Sequence, residues 1–260
     1  MKKTCIAISF LVLFFSISLK VQAQEKAPKY QVYNISDDLV KPSMKSEYEE
    51  GLKDYISIFS ENNYPYPIYV YSTRDFHYYY VTPIGLKFSE LDSLYKYFNQ
   101  AIKASPEKWE SVWKKFEGTY EYNINKIIVL NRELSYYPEN PRLQSEEEKF
   151  HYWVFTYVKV GKTKEFIELI KKWKELHQQK NITDGYSVYF GDMGTEQPLY
   201  IWHMTAKDLA DFWTQDKIIY EALGDEAKEL WLETSKLIRK IERKEGWFRK
   251  NLSYFLEEKE

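Results

Sequence analysis

His151, Trp153, Phe155 and Tyr157 alternate along "FHYWVFTYVKVG", Phe150 to Gly161, and His203 sits in the second apolar stretch "PLYIWHMT". An imidazole can carry a proton, hold a metal or hydrogen-bond a ligand. Tryptophan and tyrosine offer flat stacking faces with a polar tip. Strict alternation puts every second residue of a strand on one side. If the aliphatic residues Val154 and Val158 face helices, then His151, Trp153 and Tyr157 face an interior. His203 joins them if its strand has matching parity. A separation of 123 residues makes Tyr80 its counterpart in the first half. The chemistry expected of such a group is a pocket for a planar or apolar molecule, with His151 and His203 as polar contacts and Trp153 and Tyr157 as the stacking surface. The bland alternative is an aromatic core in which each imidazole is satisfied by a tyrosine hydroxyl or a backbone carbonyl.

Other chemistry is scarce. No G-x-S-x-G, H-E-x-x-H, Walker loop or dinucleotide-binding glycine fingerprint occurs, so no catalytic residue is assigned. "GDMGTE" lies between two strands with no helix behind it and reads as a turn, not a phosphate loop. Asp192 and Glu196 in it read as solvated carboxylates, and no metal site is expected. His77 is placed at a sheet rim, and His177, among Gln and Lys on a helix, at the surface. Trp109, Trp113 and Phe116 recur at helical spacing and read as packing.

The first 23 residues carry a basic start at Lys2 and Lys3, an apolar run from Cys5 to Leu19 and small residues Val21 and Ala23 at the cleavage position. This is the pattern of a cleaved signal peptide, and the run is short for a membrane-spanning helix. The expectation is an exported protein, periplasmic or secreted, without a stable membrane anchor. Cys5 is the only cysteine, so the mature chain would have neither disulfides nor thiolate chemistry. Losing Lys2, Lys3 and Lys20 takes the net charge from −2 to −5. That balance argues against nucleic acid as a partner.

The elements that must position these residues are written twice. In the second half, a strand at Phe150 to Val158 is followed by a helix over "KTKEFIELIKKWKELHQQKN", whose apolar residues recur at helical spacing. A hairpin of "YSVYFG" and "PLYIWHMT" comes next. A long helical region then runs from Asp208, a plausible N-cap, to about Glu245. It is broken at Leu223-Gly224-Asp225 and stopped by Gly246. "WFRKNLSYF" reads as the final strand. Shifting by 118 residues superimposes "SEYEEGLKDYISIFSENN", "PIYVYS" and "FHYYYVT" on these elements, with offsets of 123 at Thr82 and 122 at Trp109. Leu-Ser-Tyr closes both halves, at 134–136 and 252–254. The division expected is a signal peptide over 1–23, a first repeat over 29–137, a solvated linker over 138–148 and a second repeat over 149–257.

Strand-helix-strand-strand-helix-strand is the ferredoxin-like order. The fold class is α+β, with tandem βαββαβ repeats whose antiparallel sheets face each other in a barrel-like core, because both parities of the strands are apolar. With the "YVKVGKTKEFIELI" strand-Gly-Lys-helix passage, the chain resembles the dimeric α/β-barrel superfamily in a fused two-copy form, most of all its NIPSNAP-type and monooxygenase-like members. The resemblance spans Lys29 to Glu257. It implies a barrel, and a range of activities from haem handling to small-molecule oxygenation, with no shared catalytic residues to carry over. The cofactor stays unassigned, with haem on a single histidine an open alternative. Small-molecule binding in the barrel with oxygenase-like activity is the leading expectation. A non-catalytic interaction or structural protein, including a glycan-binding one, is the alternative, and the oligomeric state is open.

Overall fold

The computed structural model describes residues 27–87 and 89–256. The expected leader, 1–23, lies outside the described residues. Eight antiparallel strands form one closed barrel in the order β1-β3-β2-β8-β5-β7-β6-β4. The strands are β1 (Tyr30–Val40), β2 (Tyr69–Thr73), β3 (His77–Ile84), β4 (Tyr120–Asn131), β5 (Phe150–Val158), β6 (Ser187–Gly191), β7 (Leu199–Ala206) and β8 (Ile238–Phe248). The helices are α1 (Lys45–Glu61), α2 (Ser89–Ala104), α3 (Pro106–Phe116), α4 (Thr163–Gln179) and α5 (Leu209–Ser235). No helix among the described residues is long and apolar enough to cross a membrane.

Each half is a ferredoxin-like unit, with its last strand beside its own first strand: β4 along β1 and β8 along β5. The duplication is close. α1 and α4 correspond at a separation of 118 residues (45 to 163, 61 to 179), as do β2 and β6 (69 to 187, 73 to 191). Asn63 and Asn181, one separation apart, both take a positive φ (48° and 51°) just past their helices, where asparagine tolerates the left-handed conformation that ends a helix.

Closure exchanges strand edges between the halves. β4 pairs with β6 and β2 pairs with β8, so each unit's last strand bonds to the other unit's second strand. Helices cover the outside. One core packs α1, α2 and α3 on the first sheet around the fully buried Tyr48, Leu52, Ile58 and Phe59. A second packs α4 and α5 on the other sheet around Phe166, Ile170 and Val188. Burying each such side chain contributes about 1.5–3 kcal/mol, so the helix–sheet layers carry the stability and leave the inner face free for other work.

Three local expectations are corrected. The Leu-Ser-Tyr triplets are not strands: β4 ends at Asn131 and β8 at Phe248, and the triplets follow as tails. Each tail makes a single bridge into the opposite half, Tyr136 to Tyr186 and Tyr254 to Ile68. The long helix ends at Ser235, and residues 238–245 are strand. "IRKIERKE" is rich in strong helix formers, but β5 and β2 flank it on both sides and tertiary pairing overrides propensity. Gly246 is therefore no helix stop. It faces Trp153 inside the barrel, where a Cβ would meet the Ser72 carbonyl oxygen at 2.5 Å and the Trp153 ring at 2.8 Å. The break in α5 is where it was expected: Gly224 has φ 65°, ψ −149°. Asp208 caps the helix by accepting from the Asp211 backbone N–H at 2.9 Å.

Candidate functional site

Because neighbouring strands are all antiparallel, the carboxyl ends of β1, β2, β5 and β6 share one end of the barrel with the amino ends of β3, β4, β7 and β8. The inward parity of the eight strands encloses a cavity of about 700 Å³. Tyr33 and Ile35 line it from β1, Tyr71 from β2, Tyr79 and Val81 from β3, Ile124 and Ile128 from β4, Trp153 and Phe155 from β5, Tyr189 from β6, and Leu199 and Ile201 from β7. Aromatic rings meet edge to face across it: Tyr71 and Trp153 at 5.8 Å and 89°, Tyr79 and Trp153 at 6.1 Å and 75°. Such walls suit a flat apolar guest.

The expected site residues fall into three groups. Trp153, Tyr157 and His203 line the cavity together. Trp153 is directly opposite His203 in the β5–β7 ladder, and the two rings stack at 5.3 Å and 8°. His151 shares their face of β5 but lies behind them, not on the cavity wall. Its Nδ1 is 2.8 Å from His203 Nε2. Burial pushes the His151 imidazole down to about 4 and holds that of His203 well below its ordinary value. Both rings are thus neutral at pH 7, one N–H donating to the other's lone pair.

Tyr80 stands apart from the group. The third strands correspond at 122 residues (77 to 199, 84 to 206), not 123, so His203 matches Val81. One residue of register reverses the face. Tyr80 accordingly points outward beneath α1, against the Tyr48 hydroxyl, which donates to Asp38 Oδ2 at 2.6 Å. His177 is also misplaced by the sequence. It is half-buried, with its ring 5.2 Å from Tyr186 and Nδ1 2.8 Å from the Trp173 carbonyl oxygen.

The residues that sequence reasoning missed cluster at the mouth. Asp37, only 1% exposed, lies between His77 Nδ1 at 2.7 Å and Lys126 Nζ at 2.5 Å. Burial pushes the Asp37 carboxyl up, but the bonds and charges of His77 and Lys126 outweigh it and hold the group below its ordinary value. Lys244 pairs with Asp75, while Tyr157 donates to Glu242 at 2.9 Å. His77 begins β3 at this mouth, as expected of a rim residue, but its side chain is only 12% exposed and borders the cavity. The signal was present in the sequence. Tyr33-x-Ile35-x-Asp37, His77-x-Tyr79-x-Val81 and Ile124-x-Lys126-x-Ile128 each alternate inward with one ionisable residue in the series. Glu196 of the β6–β7 turn is 53% exposed, as expected of a solvated turn carboxylate, and pairs with Arg239.

Haem is tested by the donors the sequence offered. An axial imidazole must present a nitrogen lone pair along an open line. His203 Nε2 is committed to His151 and its ring lies flat on Trp153, while His151 does not reach the cavity. This pair does not fit haem. Among the described residues no three His, Cys, Asp or Glu side chains converge to hold a metal ion.

No protein-family model matches the sequence, and no curated protein matches it. Solved structures do. A candidate monooxygenase from Fusobacterium nucleatum is 16% identical with a TM-score of 0.52, over 88% of this chain and 95% of that one. An anthrone oxidase-like protein is 10% identical with a TM-score of 0.55, over 85% and 92%. A chlorite dismutase variant from Candidatus Nitrospira defluvii is 10% identical with a TM-score of 0.50, again over 85% and 92%. At these identities the likeness is one of fold. The chain has the ferredoxin-like dimeric α/β-barrel fold, with both copies fused in one polypeptide.

Proposed function

We propose that this is an exported protein whose barrel lumen binds a planar, largely apolar small molecule, with oxygenase-like chemistry as the class of reaction it serves. The observation that carries the reading is the cavity of about 700 Å³, walled by aromatic and aliphatic side chains, with Asp37, His77 and Lys126 together at its mouth. A core built for packing alone would be filled, because protein interiors reach crystal-like density. Trp153, Tyr79 and Phe155 supply the flat contacts. His203 keeps an imidazole edge against the guest while His151 fixes its tautomer and orientation.

The test is mass spectrometry of the chain purified from its own host, under native and denaturing conditions. A reproducible extra mass that is lost on denaturation, and absent from an Ile201→Trp variant that fills the lumen, supports the reading. The same mass retained by Ile201→Trp sinks the lumen as its location. Oxygen uptake with the recovered compound then decides the oxygenase-like part, and N-terminal sequencing of the mature chain decides export.

A second reading has one specific observation behind it. The separation over these helices, α3 and α5, is 118, where buried Val112 matches Leu230, and not the 122 that paired Trp109 with Trp231; Trp113 and Trp231 then correspond and are 47% and 45% exposed. Exposed tryptophans on both copies suit an interaction role, including glycan stacking. Binding of soluble glycans that is lost in Trp113→Ala and Trp231→Ala, together with an empty lumen, would favour it.

A further inference from the structure

We infer that Asp37, His77 and Lys126 form a proton-accepting pole at the mouth of the lumen, and that the guest is a planar molecule carrying an acidic hydroxyl of the phenol or enol class. The inference rests on the lumen-binding reading and adds the chemistry of one end of it. A buried carboxylate is expensive, and an apolar residue at position 37 would be the cheaper filling for a barrel interior. Asp37 is nevertheless held there, with His77 Nδ1 at 2.7 Å and Lys126 Nζ at 2.5 Å.

In the neutral ring, an ionised Asp37 places the imidazole proton on Nδ1, which donates to the carboxylate. The lone pair is then on Nε2. The nearest carboxylate on that side, Asp75 Oδ2, is 3.8 Å away, beyond hydrogen-bond reach. Asp75 is itself occupied by Thr73 Oγ1 and Lys244. A base oriented by a carboxylate, with its second nitrogen uncommitted and bordering an aromatic cavity, is the arrangement that takes a proton from a bound group. The His77 ring stacks on Tyr79 at 5.8 Å and 27°, and Tyr79 abuts Trp153, so a hydroxyl at Nε2 would have its own ring along the same aromatic wall.

The proton leaves the guest oxygen for Nε2, Nδ1–H stays on Asp37, and the products are a bound oxyanion and an imidazolium. The groups facing His77 are Asp37 from β1, Asp75 from the β2–β3 turn, Tyr79 beside it on β3, and Tyr122 from β4, with Lys126 and Lys244 holding the two aspartates. Two carboxylates against two ammoniums leave the pole balanced, so a neutral hydroxyl is not repelled and the new anion faces the new imidazolium.

The test uses 4-nitrophenol, whose phenol and phenolate forms absorb at different wavelengths, titrated into the purified chain. Wild type is expected to bind it as phenolate, with its ionisation midpoint about 1–3 units below that of free dye. His77→Gln and Asp37→Asn are expected to bind it as neutral phenol. Trp153→Ala is expected to weaken binding without changing the form bound. Circular dichroism checks the folding of each variant, and either His77→Gln or Asp37→Asn suffices for the spectral readout. Dye bound as phenol by wild type, or as phenolate by a folded His77→Gln, overturns the pole while leaving the lumen reading intact. Failure of wild type to bind the dye counts against both.

Discussion

The pair of neutral histidines has a thermodynamic signature. His151 and His203 titrate near 6.5 in an unfolded chain, whereas burial lowers both in the fold, His151 to about 4. The unfolded state therefore binds more protons below pH 6.5, and stability falls as pH drops from about 6.5 toward 4. For His151 alone the loss is about 3 kcal/mol once pH is below both values. Urea midpoints measured from pH 8 to 4 should show this slope, and a His151→Asn/His203→Asn double variant should flatten it. An unchanged slope would mean that the rings are protonated in the fold. Under α1, Asp38 accepts from the hydroxyl of Tyr48 and from the Asn123 amide, with Tyr80 adjoining. Asp38→Ala would strand buried hydroxyls and should cost about 1–3 kcal/mol in denaturant melts, with Asp38→Asn costing less. Residue identities were legible in the sequence, but facing was only half legible. The parity of β5 followed from Val154 and Val158, whereas one residue of slip in β3 exchanged Val81 for Tyr80 and hid the His77 series.

Elements explain where that legibility stopped. Apolar spacing revealed α1 and α4, and turn residues bounded the β6–β7 hairpin, because both signals are local. β8 has no local signal: its lysines, arginines and glutamates favour helix, and only the pairing with β5 and β2 makes it a strand. Glycines sharpen the contrast. Gly246→Ala pushes a methyl against the Ser72 carbonyl and the Trp153 ring. It should destabilise the fold by about 1–3 kcal/mol, shift tryptophan fluorescence and weaken lumen binding. Gly224→Ala strains a left-handed position (φ +65°) in open space. It should cost about 1–2 kcal/mol and leave binding unchanged. Equal binding losses in the two variants would contradict the role given to Gly246.

At the scale of the molecule, the halves are joined by ladders shorter than those within each half: three residue pairs in each of β4–β6 and β2–β8, against eleven in β1–β4 and nine in β5–β8. The two shorter ladders, the two bridging tails and the Arg249 pair with Glu49 at 2.7 Å hold them together. A single proteolytic nick between residues 138 and 148 should therefore leave two fragments that co-elute at the size of the intact chain and separate only in denaturant. Fragments that part in plain buffer would show the halves to be independent. The sequence disclosed two copies but not this exchange of edges, since pairing between β2 and β8 leaves no pattern in either strand alone.

That exchange also dictates an order of assembly. Ser253 Oγ accepts the Val70 backbone N–H across 183 residues, and Arg249 grips Glu49 across 200. Contacts so distant along the chain close slowly and late. Until β8 docks on β2, the lumen is a trough open along the edge of β2. A chain cut short before Gly246 would keep that trough and expose β2 as an unpaired edge, a template for strand addition by another molecule. Residues 246–254 thus act as a seam, deciding when the vessel is sealed and whether it stays a single molecule.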